Sequence, residues 1–255
     1  YHLEQKEGPL KYNGVVYNEM KGAFSSPDEV LEREIMNHLF PDTTYGCESG
    51  GDPKNIPDLT YENFLNFHRT YYHPSNSYIY LYGNMDMEEK LAFLDEHYLS
   101  HFDYLDVDSV IQEQKAFGAC RDVTLEYPVA ENEGEEDNTY LSYNMVVGNA
   151  ADSQMAMAFE VLDYALLSAP GAPLKQALLD VKAGKDVYGS YDDGILQPYF
   201  TVIAKGSNPD RKEEFVSVIR QVLGDIVKNG IDKKAVEAGI NYAIVKLIFP
   251  LIRKD

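Results

Sequence analysis

The sequence has little of what marks a secreted, metal-clipped or membrane-bound chain. Its 255 residues contain two cysteines, Cys47 and Cys120, far apart and in no Cys-x-x-Cys spacing. That usage suits a reducing compartment and argues against a structural zinc knuckle. No apolar run approaches the ~20 residues of a membrane-spanning helix, and no stretch reads as a signal peptide. Basic residues are scarce, with 22 Lys and Arg against 42 Asp and Glu, a formal net charge of −20. Such a chain repels nucleic acid and anionic membranes and attracts cationic ligands, although solubility alone also accounts for the charge. The sequence also lacks His-Glu-x-x-His, His-x-x-Glu-His, the Gly-x-Ser-x-Gly nucleophile turn and a phosphate-binding loop.

What is present suits a soluble globular protein. Hydrophobic residues make up 44% and charged residues 25%, and the length allows one large or two ordinary domains. Val16, Met20, Ala23 and Phe24 form one helical stripe, stopped by Ser25-Ser26-Pro27. Ser26, Pro27 and Glu29 then predict a capping box and a second helix carrying Val30, Leu31, Ile35 and Leu39. Thr60 caps a helix with Phe64, Leu65, His68 and Tyr72, and Asp86 with Glu89 starts another. Between these two helices, residues 77–84 (SYIYLYGN) read as a buried strand.

Periodicity fades near residues 105–121, the expected linker between two domains, 1–104 and 122–255. Beyond it, RDVTLEYPV and NTYLSYNMVVG read as strands joined by an acidic connection, residues 131–137, expected to be solvated and mobile. Asp152 or Ser153 opens a helix, Pro173 another, and QPYFTVIAKGSN is a strand. Amphipathic helices through Phe215, Ile219, Val222 and Ile226, and from Asp232 onward, complete the chain. The pattern predicts an α+β fold of antiparallel sheets covered by helices.

Candidate chemistry is sparse. Glu19 sits beside the Val16/Met20/Phe24 stripe, where spacing alone makes it a surface carboxylate at a helix edge. His97 and His101 stand at i, i+4, a spacing that can hold zinc but more often marks a helix C-terminus. His2-Leu3-Glu4-Gln5 lacks the second histidine of a zinc helix.

The long run from YNGVVYNEMKGAFSSPDEVLEREI through SYIYLYGNMD resembles the presequence-protease branch of the insulinase (pitrilysin) zinc metallopeptidases. So do YLSYNMVVG, APGAPLKQALL and DVYGSYDDGILQPYFTVIAKGS, so the resemblance spans nearly the whole chain. It implies two insulinase-like domains of a clamshell enzyme, the first incomplete and catalytic (1–104), the second non-catalytic (122–255). It implies a closed chamber that degrades unstructured peptides, and zinc held by two histidines of a His-x-x-Glu-His helix plus a later glutamate. Glu19 matches that glutamate, in the Gly-Val-Val-x-Asn-Glu-Met-Lys-Gly segment. The helix bearing the two histidines has no match in this chain, so an internal fragment, inactive by itself and unable to retain zinc, is expected. Expected partners are unfolded peptides, the remainder of the parent chain and further copies of the fragment. Neither nucleic acid nor a membrane is among them. The expected compartment is the bacterial cytoplasm, with the mitochondrial matrix as the alternative. A different class of reading is a catalytically dead relative serving as a peptide-binding or scaffold subunit.

Overall fold

The structure, a computed structural model, describes residues 2–129 and 134–252, with the backbone course alone for 249–252. In chain order the main elements are α1 (Val15–Ala23), α2 (Pro27–Leu39), α3 (Tyr61–Tyr71), α4 (Met87–His97), β1 (Thr139–Val146), α5 (Ser153–Asp163), α6 (Pro173–Asp180), β2 (Asp186–Asp192), β3 (Tyr199–Ser207), α7 (Lys212–Asn229) and α8 (Lys233–Ile252). They fall into two units. The first comprises Tyr1–Ala23 and Glu48–Gln112, the second Phe24–Cys47 and Glu113–Asp255. The division after Gln112 lies in the low-periodicity stretch, and α2 groups with the C-terminal part of the chain.

Local signals account for most helix starts. Thr60 accepts from the Asn63 amide at 3.1 Å while Asn63 reaches back to Thr60, a full capping box. Asp86 and Asp152 each accept from the amide three residues on, at 3.1 and 3.0 Å. The box expected at Ser26 does not form, since its side chain makes no capping bond. There Pro27 fixes the first helical φ, and Asp28 and Glu29 place negative charge at the positive end of α2. α4 ends at His97, and a 3₁₀ turn, Leu99–His101, follows. His97 and His101 therefore do not share a helix face, and the i, i+4 pair is lost.

The second unit is built on an antiparallel sheet of order β1-β3-β2. Side chains alternate between its faces. On one face, Leu141, Val187, Phe200, Val202 and Ala204 meet Leu174 and Leu178 of α6 and Phe215 and Ile219 of α7. A π-helical turn, Tyr164–Ser168, follows α5 and adds buried Leu166 and Leu167 to that core. On the opposite face, Tyr199 and Ile203 pack against Ile35 of α2 and against Phe40. Gly189 in β2 is required, because a Cβ there would collide with the Thr201 carbonyl oxygen and the Leu167 side chain. Strand β2 was not among the elements expected from the sequence.

The first unit, described by itself, is a set of exposed helices. Among its described residues only Met20 is buried. Residues 77–84 are irregular, bend at Gly83 and Asn84 and belong to no ladder, and Tyr78, Tyr80 and Tyr82 are 85% exposed or more. The buried strand expected there is thus not formed: a strand buries its faces only when neighbouring strands and a covering layer are present, and none is seen among the described residues. The stretch before the acidic connection is likewise irregular and in no ladder, with Val123 and Leu125 exposed. Of that connection, Glu131, Asn132 and Glu133 lie outside the described residues. Its end is held, however: the Asp137 amide donates to Asn208 at 2.9 Å, and Lys185 pairs with the Asp137 carboxylate at 3.2 Å.

Replacing Phe215 by alanine removes a fully packed ring and is expected to cost about 3–5 kcal/mol of unfolding free energy. Phe64→Ala, on the exposed α3, is expected to change stability by under about 0.5 kcal/mol. Urea denaturation of the two variants checks the contrast.

Candidate functional site

Glu19 is the fifth residue of α1 and is exposed. Its carboxylate has no hydrogen-bond or ion-pair partner among the described residues. The stripe expected to fix its direction is only partly built. Met20 is buried, its sulfur packed so closely on Gly50 that a Cβ there would lie 2.6 Å from it. Val15 and Val16 remain 85% and 53% exposed. Phe24 belongs to the second unit, where the Arg33 guanidinium stacks on its ring at 3.7 Å. Beside the start of α1, an open hollow of about 450 Å³ is walled by Tyr12, Val15, Val16, Ile56 and Pro57.

A metal needs several donors converging on one point. Among the described residues, no group of three or more His, Cys, Asp and Glu side chains is placed to hold one. His97 and His101 join no such group, and Cys47 and Cys120 are free and exposed. The residues present do not make a zinc site, since Glu19 is a single carboxylate.

The second unit holds a different concavity, a trough of about 450 Å³ between α2 and the sheet face beneath it. Its floor is four cross-strand pairs, Asp186↔Lys205, Tyr188↔Ile203, Ser190↔Thr201 and Asp192↔Tyr199. Its wall is one side of α2, with Asp28, Leu31, Glu32 and Ile35. Sequence reading passed over these residues. The signal was present in the alternation Asp186, Tyr188, Ser190, Asp192, polar at every second position while Val187 and Tyr191 turn to the core.

At one end of the trough, charges are paired. Asp28 accepts from Lys205 Nζ at 2.7 Å, Tyr188 Oη at 3.2 Å and Tyr140 Oη at 3.5 Å, one donor from each strand. The Lys205 hydrogen bond, outweighing the cost of burial, holds the Asp28 carboxyl below the usual carboxylate range, and Asp28 in turn raises Lys205. Burial first, then the Asp28 charge, pushes the Tyr188 hydroxyl up to about 12. At the other end, burial and the charges of Asp192 and Glu32 raise the Tyr199 hydroxyl, which donates to Asp192 at 3.3 Å. Neither Asp192 nor Glu32 has a cationic partner among the described residues.

Residues 58–242 match the family described as the Peptidase M16 inactive domain. This chain belongs to the M16 peptidase family. It is 51% identical over 241 residues to Protein HypA of Clostridium perfringens, covering 94% of this chain and 25% of that protein. It is 37% identical to Presequence protease 1, chloroplastic/mitochondrial, of Arabidopsis thaliana, over 94% of this chain and 23% of that one. The chain thus spans about a quarter of the length of the curated relatives it matches. The crystal structure of a putative M16-like peptidase from Alicyclobacillus acidocaldarius superposes with a TM-score of 0.63 at 18% identity, covering 93% of this chain and 55% of that one. At that identity the likeness shows the fold alone, and the α+β architecture of this M16 chain agrees with it.

The Asp28 cluster has a defined pH signature. A carboxyl held below its ordinary value of 3.8 stabilises the fold above that pH, and the stabilisation is lost as pH falls through the depressed value. With Asp28 and Lys205 about half exposed, the effect is worth under about 1 kcal/mol. Asp28→Asn is therefore expected to lower stability slightly at pH 7, with the difference from the parent closing below pH 3.8. Urea titrations between pH 2 and 7 measure it.

Proposed function

We propose that this chain is part of a zinc metalloendopeptidase that degrades unstructured peptides in a closed chamber, with Glu19 as one of the metal's ligands. The observation that carries the reading is the match to presequence proteases over more than nine-tenths of the chain. The exposed, unpartnered carboxylate of Glu19 within GVVYNEMKG is compatible with a ligand role. The remaining ligands and the general base would come from polypeptide outside these 255 residues, as the fourfold greater length of the relatives allows. In this reading residues 1–104 end the catalytic domain, and residues 122–255 form a peptidase-like domain without catalysis. A location in the bacterial cytoplasm fits the similarity to a clostridial protein. No helix among the described residues is long and apolar enough to cross a membrane.

A second reading has its own support. The matching family is described as an inactive domain, which favours a non-catalytic peptide-binding or scaffold part. Metal analysis and a fluorogenic peptide assay separate the two. In the full-length protein, Glu19→Gln is expected to reduce both zinc content and turnover sharply, by a hundredfold or more in rate, on the order of what loss of an essential charged group costs. The isolated 255 residues are expected neither to retain stoichiometric zinc nor to cleave the peptide. Unchanged zinc and rate in the variant would remove Glu19 from the site, and a full-length protein without zinc or turnover would favour the scaffold.

Self-association is part of the same proposal. Exposed Tyr78, Tyr80 and Tyr82, and Leu247 and Ile248 on α8, leave apolar surface open. The isolated chain is expected to form concentration-dependent dimers or larger species in sedimentation velocity, and a single monomeric boundary at high concentration would contradict this.

A further inference from the structure

The chain contains two Asn-Gly pairs, Asn13-Gly14 and Asn229-Gly230. That dipeptide carries its own chemistry. Glycine has no Cβ to shield its amide nitrogen, so the nitrogen can approach the side-chain carbonyl carbon of the asparagine before it. Its freedom to do so depends on what else holds the nitrogen and the carbonyl, and the fold treats the two pairs differently.

All four residues are exposed. Asn229 ends α7, and the Gly230 amide donates to the Ile226 carbonyl at 2.8 Å, closing the last turn. That nitrogen is engaged. Gly14 stands just ahead of α1, where the first amides of a helix find no carbonyl in an earlier turn. Its amide has no hydrogen-bond partner among the described residues, while its carbonyl accepts from the Asn18 amide at 2.9 Å. The Asn18 side chain also donates, from Nδ2 to Asn13 Oδ1 at 2.7 Å. A donor on that oxygen stabilises the negative charge it takes on when a nucleophile attacks the carbon. At Asn13 the nucleophile is free and the carbonyl is polarised. At Asn229 the nitrogen is occupied, and no donor meets the side-chain oxygen among the described residues.

We propose that Asn13 is a site of spontaneous deamidation, with the Gly14 nitrogen as nucleophile and Asn18 as the donor to the reacting carbonyl. The Gly14 nitrogen bonds to Asn13 Cγ and gives up its proton, which leaves with the side-chain NH2 as ammonia when the Cγ–Nδ2 bond breaks. Water then opens the cyclic imide at one of its two carbonyls, giving aspartate or isoaspartate. Either product adds a negative charge ahead of α1, at the positive end of its dipole. Isoaspartate also lengthens the main chain by one methylene group where it enters the helix that carries Glu19. The proposal goes beyond the peptidase reading and needs neither zinc nor a substrate.

Peptide mapping by mass spectrometry tests it on the 255-residue chain, held for weeks at physiological pH and temperature. The readout at each asparagine is the exchange of NH2 for OH. Asn229 is expected to react about tenfold more slowly than Asn13, the factor that about 1.4 kcal/mol gives and that one amide hydrogen bond supplies. Gly14→Ala fits the backbone, since a Cβ there meets nothing nearer than Tyr17 at 3.9 Å. By shielding the nitrogen it is expected to slow the reaction at Asn13 about tenfold or more. Asn18→Ala is expected to slow it about threefold, less than a buried oxyanion donor is worth because this one faces water. In denaturing urea the two asparagines are expected to react within about a factor of two of each other, and Asn18→Ala to have no effect, since the hydrogen bonds that distinguish them are gone. The proposal is overturned if Asn13 reacts no faster than Asn229 in the folded chain, or if the same contrast persists in urea, which would assign it to sequence neighbours. It is also overturned if Gly14→Ala or Asn18→Ala leaves the folded rate unchanged.

Discussion

Six consecutive residues of β3, Tyr199–Ala204, are buried, and they alternate between two separate cores. Phe200, Val202 and Ala204 face α6, α7 and the π-helical turn, while Tyr199 and Ile203 face α2 and Phe40. A central strand buried on both faces must have its backbone paired on both edges, since unsatisfied amides there cost more than the apolar burial returns. The pairing of β3 with β1 and with β2 meets that requirement. It also ties α2, early in the chain, to strands more than a hundred residues later. Asp28 repeats the tie in charge: its carboxylate collects one donor from each of the three strands.

Elements with a local cause were legible in the sequence. Thr60 and Asp86 cap helices as their spacing indicates, Asp152 rather than Ser153 caps α5, and the stripe through Phe215, Ile219, Val222 and Ile226 lies against the core. β1 and β3 carry enough aromatic and branched residues to be read directly. β2 was not legible, because Gly189 and four polar residues resemble a turn; their strand character comes from pairing with β3, a long-range fact. The segment at 77–84 shows the converse. Its composition says strand, but propensity acts only where a ladder partner is supplied. Glu19 stood out only through the motif around it, since an exposed helical carboxylate carries no spacing signal of its own.

The two units differ in how they handle apolar side chains. The second buries them around a sheet, and α8 presses close enough on α5 that a Cβ at Gly239 would lie 2.9 Å from the Val161 carbonyl oxygen. The first leaves Tyr61, Phe64, Phe67 and the tyrosines of 77–84 in solvent. Single exposed apolar residues are ordinary on a protein surface, and no core among the described residues of this unit covers these rings. The 58–242 family match takes in both α3 and the sheet of the second unit. Membership of the family therefore does not require that each unit be self-sufficient.

The trough follows from simple dimensions. Strands lie about 4.8 Å apart, and a helix with its side chains is about 10–12 Å across, so one helix lying along a sheet covers about two strands. On the face toward α6 and α7 several elements share the sheet, and all three strands are covered. On the other face α2 is the covering helix, and its contacts with Tyr140, Tyr199 and Ile203 place it over β1 and β3. β2 meets α2 only through Tyr188, which packs beside it and donates to Asp28, and Asp186, Ser190 and Asp192 line the open trough. Had α2 been shifted by one strand, Asp192 would have been buried against Leu31 and Ile35 without a cation to offset it, at a cost of several kcal/mol. The polar alternation of β2 therefore fixes where α2 can sit, and the position of α2 leaves the acidic end of the trough facing solvent.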